Sequence, residues 1–139
     1  GKDIRRVLNR IIMPILQKED LSLMQVYALG GIETGQITNI STLCEMLDMS
    51  QGNASSLSKR LEAMGCINRV RSKEDERIVN LVITKTGSEK LHNIKAYFER
   101  LTPVFEEVPE EEFDTIEKGL VALSNVLIKL HEVSSEQMD

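Results

Sequence analysis

Apolar residues recur every three or four positions along most of this 139-residue chain, but across residues 66–83 the period falls to two. A period near 3.6 lines apolar side chains along one face of a helix, and a period of two lines them along one face of a strand. The switch follows directly on two short helical runs. In the first, Ser41 precedes TLCEMLD, with Leu43 and Leu47 on one face; in the second, Ser50 precedes a longer run with Ala54, Leu57, Leu61 and Met64 on one face. A serine at each start suits an N-cap, where its hydroxyl accepts from an unpaired amide. Gly65 closes the second helix, since a left-handed residue just past a helix end satisfies the last carbonyls. Residues 66–70 and 78–83 then read as two strands joined by the charged segment RSKEDER, a hairpin with an exposed tip.

Helices flank this unit on both sides. Ile4, Val7, Leu8, Ile11, Ile12, Ile15 and Leu16 mark an amphipathic helix that Pro14 should kink rather than abolish. The next helix starts at Ser22, with Gln25 completing a capping box, and is expected to end near Gly30 and Gly31. Thr84 caps a long helix to about residue 101, carrying Leu91, Ile94, Tyr97, Phe98 and Leu101. Pro103 and Pro109 bracket a connector. The last helix opens with Glu110, Glu111 and Glu112, which suit the positive end of a helix dipole, and continues through Phe113, Ile116, Leu120, Leu123, Leu127 and Leu130. The closing SSEQMD is expected to fray. The terminal stripes could pack within one chain or against a second copy.

A chain of this length can bury about 68–70% of its unfolded surface, so one domain over residues 1–139 is expected, with no staple. Cys44 and Cys66 lack metal-ligand spacing and read as small buried residues; neither metal nor cofactor is called for. No run approaches the roughly 20 apolar residues of a membrane span, and the first residues lack a signal-peptide layout, which points to a cytoplasmic protein. A formal net charge of −5 argues at first against a nucleic-acid partner. The charge is segregated, however. Residues 50–73 carry Lys59, Arg60, Arg69, Arg71 and Lys73 against Glu62 alone, whereas residues 99–117 are dense in Glu. Charges more than roughly 8 Å apart in solvent are largely screened, so the local sign decides.

Two short helices joined by a tight turn, the second with small polar residues at its start, have the geometry that places a recognition helix in a major groove about 12 Å wide. The hairpin sharpens this. Its basic strand (Arg69, Arg71), its tip at residues 73–76 and Arg77 would reach sideways along a duplex. The expected fold is therefore mainly α with one small β-hairpin, a winged helix-turn-helix with flanking helices. Gln51, Asn53 and Ser55 stand in the first turns of the second helix and can meet base edges, a well-placed pair being worth ~1–3 kcal/mol of discrimination. Gly52 lets the backbone approach closely. Lys59 and Arg60, with Ser41 and Ser50 at helix starts, suit phosphates, although a solvated face and plain capping account for the same residues. Lys73 is a lesser phosphate candidate. Asp75, two residues before Arg77 on the same face, can hold its guanidinium; the bland alternative is a surface ion pair worth ~0–1 kcal/mol.

The run from LSLMQ through STLCEMLDMSQGNASSLSKRLEAMGCI to RVRSKEDERIVNLVITKTG resembles the MarR (multiple antibiotic resistance regulator) family. The resemblance is carried by S-Q-x-N-x-S-x-L-x-K-R-L-E-x-x-G, then D-x-R in the wing and T-x-x-G at the next helix, and covers most of residues 21–90. It implies a homodimer, with dimerisation helices at residues 1–20 and 88–135 and a DNA-binding region at residues 21–87. It implies a palindromic double-stranded operator, a repressor role among regulators of transcription, and Arg77 at a minor-groove contact. It also implies a pocket for a small amphipathic or phenolic ligand, for which Met13, Leu16, Tyr27 and Phe98 are the candidates, unless they are plain core.

Other chemistries fit less well. His92 and His131 lie on separate helices, and no phosphate loop or metalloprotease motif appears, so an enzyme is not expected. Some MarR-family members bind zinc or sense peroxide through cysteine. Here there are too few histidines near cysteine for the first, and the first helix has no cysteine for the second; redox sensing through Cys44 or Cys66 stays an alternative, as does a protein-interaction module that has lost DNA binding.

Overall fold

The computed structural model describes residues 3–138, which form six helices, one hairpin and a short 3-10 helix. The chain forms two compact units, with the boundary between Glu99 and Arg100.

The first unit begins with α1 (Ile4–Glu19), capped by the Asp3 side chain, which accepts from the Arg6 amide. Pro14 lies inside this helix, which runs on past it. Helix α2 (Leu23–Glu33) starts with the expected capping box: the Gln25 amide donates to Ser22 Oγ at 3.2 Å, and the Ser22 amide donates to Gln25 Oε1 at 2.9 Å. Its end departs from expectation. Gly30 and Gly31 do not terminate it; the helix continues to Glu33, and the left-handed glycine is Gly35, at φ +78°. Gly31 has a different task, because a Cβ there would strike the Ile37 side chain, and its carbonyl accepts from the Ile37 amide at 2.9 Å. The glycine is needed for close packing of the chain that returns past the helix end.

Helix α3 (Ile40–Leu47) starts earlier than the serine suggested. Asn39 is its cap, accepting from the Thr42 amide at 2.9 Å, while Thr42 Oγ1 accepts from the Asn39 amide at 3.0 Å. Ser41 is consequently in the first turn. Asp48, at φ 53°, ends α3, and Ser50 caps α4 (Gln51–Ala63) through the Asn53 amide at 3.2 Å. Gly65 adopts φ +74° just past α4, as expected of a left-handed closing residue. The chain then enters β1 (Ile67–Arg71) and β2 (Val79–Ile83), an antiparallel pair in which Ile67 faces Ile83, Arg69 faces Leu81 and Arg71 faces Val79. A bridge between Asn39 and Asn80, with the Leu81 amide donating to the Thr38 carbonyl at 2.9 Å, fastens β2 to the segment before α3.

Thr84 caps α5 (Lys85–Glu99) through the Gly87 amide at 3.1 Å. Helices α1 and α5 are tied by the Tyr97 hydroxyl, which donates to the Ile11 carbonyl at 2.7 Å, and by Lys90 Nζ, which donates to the Glu19 carbonyl. The core of this unit gathers Leu16, Leu29, Ile37, Leu43, Leu61, Ile67, Leu81 and Ile94, with Cys66 fully buried among them and Cys44 partly so.

The second unit holds a 3-10 helix (Thr102–Glu107) and the 29-residue α6 (Glu110–Met138). Pro109 sits immediately before α6, its carbonyl accepting from the Glu112 and Phe113 amides. Of the closing segment expected to fray, residues 134–138 are helical, with Ser134 Oγ donating to the His131 carbonyl, and Asp139 lies outside the described residues. No residue of α6 is buried. Among the described residues no helix is long and apolar enough to cross a membrane.

The paired glycines of α2 give a test with opposite signs. Nothing lies within 4 Å of a Cβ built on Gly30. Gly30→Ala should therefore stabilise by up to ~1 kcal/mol through helix propensity. Gly31→Ala should destabilise by ~1–3 kcal/mol, because the buried Ile37 must repack. Urea unfolding of the two variants reads both; equal shifts would refute the packing role of Gly31.

Candidate nucleic-acid interface

Helix α4 buries Ala54, Ser58 and Leu61 and turns the opposite side outward. Gln51, Gly52, Asn53, Lys59 and Arg60 are all exposed, while Ser55 is half-buried at the margin. Nothing lies within 4 Å of a Cβ built on Gly52, so its surface is open. Ser56, also exposed, stands one turn beyond Gly52 and Asn53 and one turn before Arg60. Sequence reading passed over it. The three-to-four-residue spacing from Asn53 was the signal that would have included it.

Ser50 serves as the cap of α4, so its hydroxyl is already engaged by an amide. Ser41 is free of capping duty and exposed in the first turn of α3. Ser41, Gln51 and Arg77 line one groove of about 310 Å³ together with Asn39, Ile40, Ile78 and Val79. The starts of two helices and the start of the wing's second strand thus open onto the same space.

At the wing, Asp75 holds Arg77 through three hydrogen bonds. Arg77 Nε donates to Asp75 Oδ1 at 3.0 Å and Nη2 to Oδ2 at 3.1 Å, and the Arg77 backbone amide also donates to Oδ1 at 3.0 Å. The Arg77 side chain remains 90% exposed. Hydrogen bonds from the Arg77 side chain, then from its amide, hold the Asp75 carboxyl below its ordinary value of 3.8. Lys73 is exposed at the tip. Arg71, also exposed, has Nη1 donating to the Glu76 carbonyl at 2.5 Å. Arg69 lies half-buried on β1, its amide donating to Glu62 Oε2 at 2.9 Å and its Nε enclosed without a partner.

The four candidate ligand-lining residues are not gathered together. Met13 and Leu16 line a groove of about 360 Å³ with Gln17, Asp20, Leu21, Ser22, Gln25 and Met64; Tyr27 and Phe98 are not among its walls. Phe98 instead packs edge-on against Tyr97, with ring centroids 5.2 Å apart, and Tyr27 is 54% exposed. Burial pushes the Cys66 thiol up from its ordinary value, opposed in part by the Lys90 charge. Among the described residues no group of three or more His, Cys, Asp or Glu is placed to hold a metal.

Two short helices in tandem, an outward polar face on the second and a hairpin carrying a fixed arginine define a winged helix-turn-helix protein. The sequence profile described as "Transcriptional regulator SarA/Rot" matches residues 10–94, well over half the chain. The chain is 29% identical over 105 residues to the HTH-type transcriptional regulator SarZ of Staphylococcus haemolyticus, covering 76% of this chain and 71% of that protein. Its fold is similar to that of Streptococcus pneumoniae FabT in complex with DNA, at a TM-score of 0.76 and 24% identity over 91% of this chain and 94% of that one. It is likewise similar to Staphylococcus aureus MepR in a DNA complex, at 0.70 and 20% identity over 89% and 94%. The chain belongs to the SarA/Rot family: it is a DNA-binding regulator of transcription with a winged helix-turn-helix fold.

The Asp75–Arg77 pair can be checked directly. A depressed carboxyl contributes fully above its unfolded value and is lost only as pH falls through the lowered folded value, so the pair should be intact at every pH above about 4. In Arg77→Ala the Asp75 midpoint, followed by carboxyl NMR, should rise toward 3.8. An unchanged midpoint would mean that the pair does not form in solution.

Proposed function

We propose that this chain acts as a homodimer that binds a palindromic double-stranded operator, with Gln51, Asn53 and Ser55 toward base edges, Ser41, Lys59, Arg60 and Lys73 toward phosphates, and Arg77 toward a minor groove. One observation carries the reading of the interface: Ser41, Gln51 and Arg77, held by three separate elements, line one groove beside the open face of α4. Narrow minor grooves attract arginine, and Asp75 holds this one in a defined orientation.

The dimer is supported by the surfaces of α1 and α6, each taken by itself. Ile4, Val7, Leu8 and Ile11 are exposed on α1. On α6, Phe113, Ile116, Leu120, Leu123, Leu127 and Leu130 follow each other at alternating steps of three and four, all at least 39% exposed. Val121, Val126, Ile128 and Val133 widen that stripe on both sides. A helix apolar over so much of its circumference requires a partner. A two-fold dimer then presents two recognition helices to half-sites ~34–36 Å apart. Such a dimer seated over a promoter excludes polymerase, which makes repression the expected outcome. A small amphipathic or phenolic ligand in the groove at Met13 and Leu16 would act by preferring one spacing of the two recognition helices.

Selection from a random double-stranded library, followed by salt titration of the winner, tests the DNA reading. The winner should be roughly palindromic. Asn53→Ala should relax base preference and leave the salt slope nearly unchanged, whereas Lys59→Ala should reduce the slope by about one. Enrichment of no sequence by the wild type would refute operator recognition. The dimer is tested separately by sedimentation: Leu123→Glu with Leu127→Glu should yield a monomer that keeps the helical signal of the first unit. A double variant that still sediments as a dimer would remove this stripe from the interface.

A further inference from the structure

Among the basic residues of the hairpin, Arg71 and Arg77 are both exposed yet differ in what their guanidinium groups do. Arg77 spends two N–H groups on Asp75, and a guanidinium carries five, so most of its donors remain outward. Arg71 instead donates to the carbonyl oxygen of Glu76. That oxygen belongs to the peptide group that leads into Arg77, and the N–H of the same peptide donates to Asp75 Oδ1 at 3.0 Å. Both polar ends of one planar peptide are therefore held, one by Arg71 and the other by Asp75.

Asp75 is itself held in place. Ser72 Oγ accepts from the Glu74 and Asp75 amides, each at 3.3 Å, the Ser72 amide donates to the Ile78 carbonyl at 2.8 Å, and the Ile78 amide donates to the Asp75 carbonyl at 3.0 Å. Every one of these bonds closes inside residues 71–78.

We propose that Arg71 and Ser72 are positioning residues for Arg77, locking the wing tip from within, and that Arg71 does not itself contact DNA. This rests on the reading of Arg77 as the wing's DNA contact. A tip fixed before binding loses less conformational freedom when it meets the duplex, so removing the lock weakens binding without removing a contact. The chemistry separates the two arginines: one points its free donors outward, the other satisfies a backbone acceptor of the tip.

A double-mutant cycle on the selected operator distinguishes positioning from contact. Arg71→Ala should weaken binding on the order of tenfold, equivalent to ~1.4 kcal/mol. In an Arg77→Ala background the same substitution should cost nothing further and leave the salt slope unmoved. Ser72→Ala should behave like Arg71→Ala, and Ser72→Thr, which keeps the hydroxyl, should restore binding. In the free protein, hydrogen exchange at the Arg77 amide should quicken in Arg71→Ala while the melting temperature stays put. Equal losses from Arg71→Ala in both backgrounds would make Arg71 a DNA contact in its own right and overturn the proposal, as would no loss in either. Wild-type binding by Arg77→Ala alone would instead refute the wing reading on which the proposal stands.

Discussion

The wing returns to the helical body at one crowded point, and the relation between hairpin and recognition helix depends on it. Thr84 Oγ1 donates to the Gly65 carbonyl at 2.6 Å and accepts from the Gly87 amide at 3.1 Å, while the Thr84 amide donates to the Cys66 carbonyl at 3.0 Å. A Cβ on Gly87 would run into that Cys66 oxygen. One threonine thus joins the end of α4, the root of β1 and the start of α5, and the absent side chain of Gly87 lets them approach. With β2 bridged to the segment before α3, the hairpin is fastened at both sides of its base. Helices α3 and α4 and the wing consequently form one reader rather than three hinged parts. A protein that reads geometry along a duplex needs such rigidity, since phosphate contacts fix register only if their spacing is fixed.

Electrostatics follows the same division. The chain has more carboxylates than cations, yet residues 106–117 alone contain seven acidic residues and no basic one. The basic groups of α4 and the hairpin are opposed locally by Glu62, Glu74, Asp75 and Glu76, and two of these four are spoken for: Glu62 by the Arg69 amide, Asp75 by Arg77. The bidentate grip of Asp75 leaves Arg77 charged and oriented, so a carboxylate that lowers the net charge of the wing improves its geometry.

How much of this was legible in the sequence depended on whether the deciding physics was local. The change of apolar period, the Ser22–Gln25 box, the Ser50 cap, Gly65 and Thr84 are set by residues within a few positions of one another, and the structure has them as read. The start of α3 was misplaced by two residues, because Asn39, Ser41 and Thr42 are all competent caps. What selects Asn39 is its pairing with Asn80, some forty residues away. Gly30 and Gly31 looked like a helix end, but the Ile37 side chain gives Gly31 its purpose, and no local pattern reveals that contact. The bond from Arg71 to the Glu76 carbonyl was not legible, because a main-chain oxygen carries no signature in a sequence. Ser56 was legible and overlooked. The candidate ligand residues were chosen as large apolar side chains, and exposure separates them: Leu16 is buried, whereas Tyr27 stands open to solvent.

The closed set of bonds at the wing tip also bears on how such a regulator can diverge. Among the residues of the tip, the side chains of Lys73, Glu74 and Glu76 take no part in the bonds that shape it: Glu74 and Glu76 contribute only backbone groups, and Lys73 none. Those three positions can change sign or size while the loop keeps its form and Arg77 its bearing. Stability constrains them little, since surface substitutions away from such features usually fall within about 0.5 kcal/mol. On the proposed reading of the wing, a lineage can therefore retune the strength of its grip on DNA one charge at a time, with the fold as a fixed handle and three free dials at its edge.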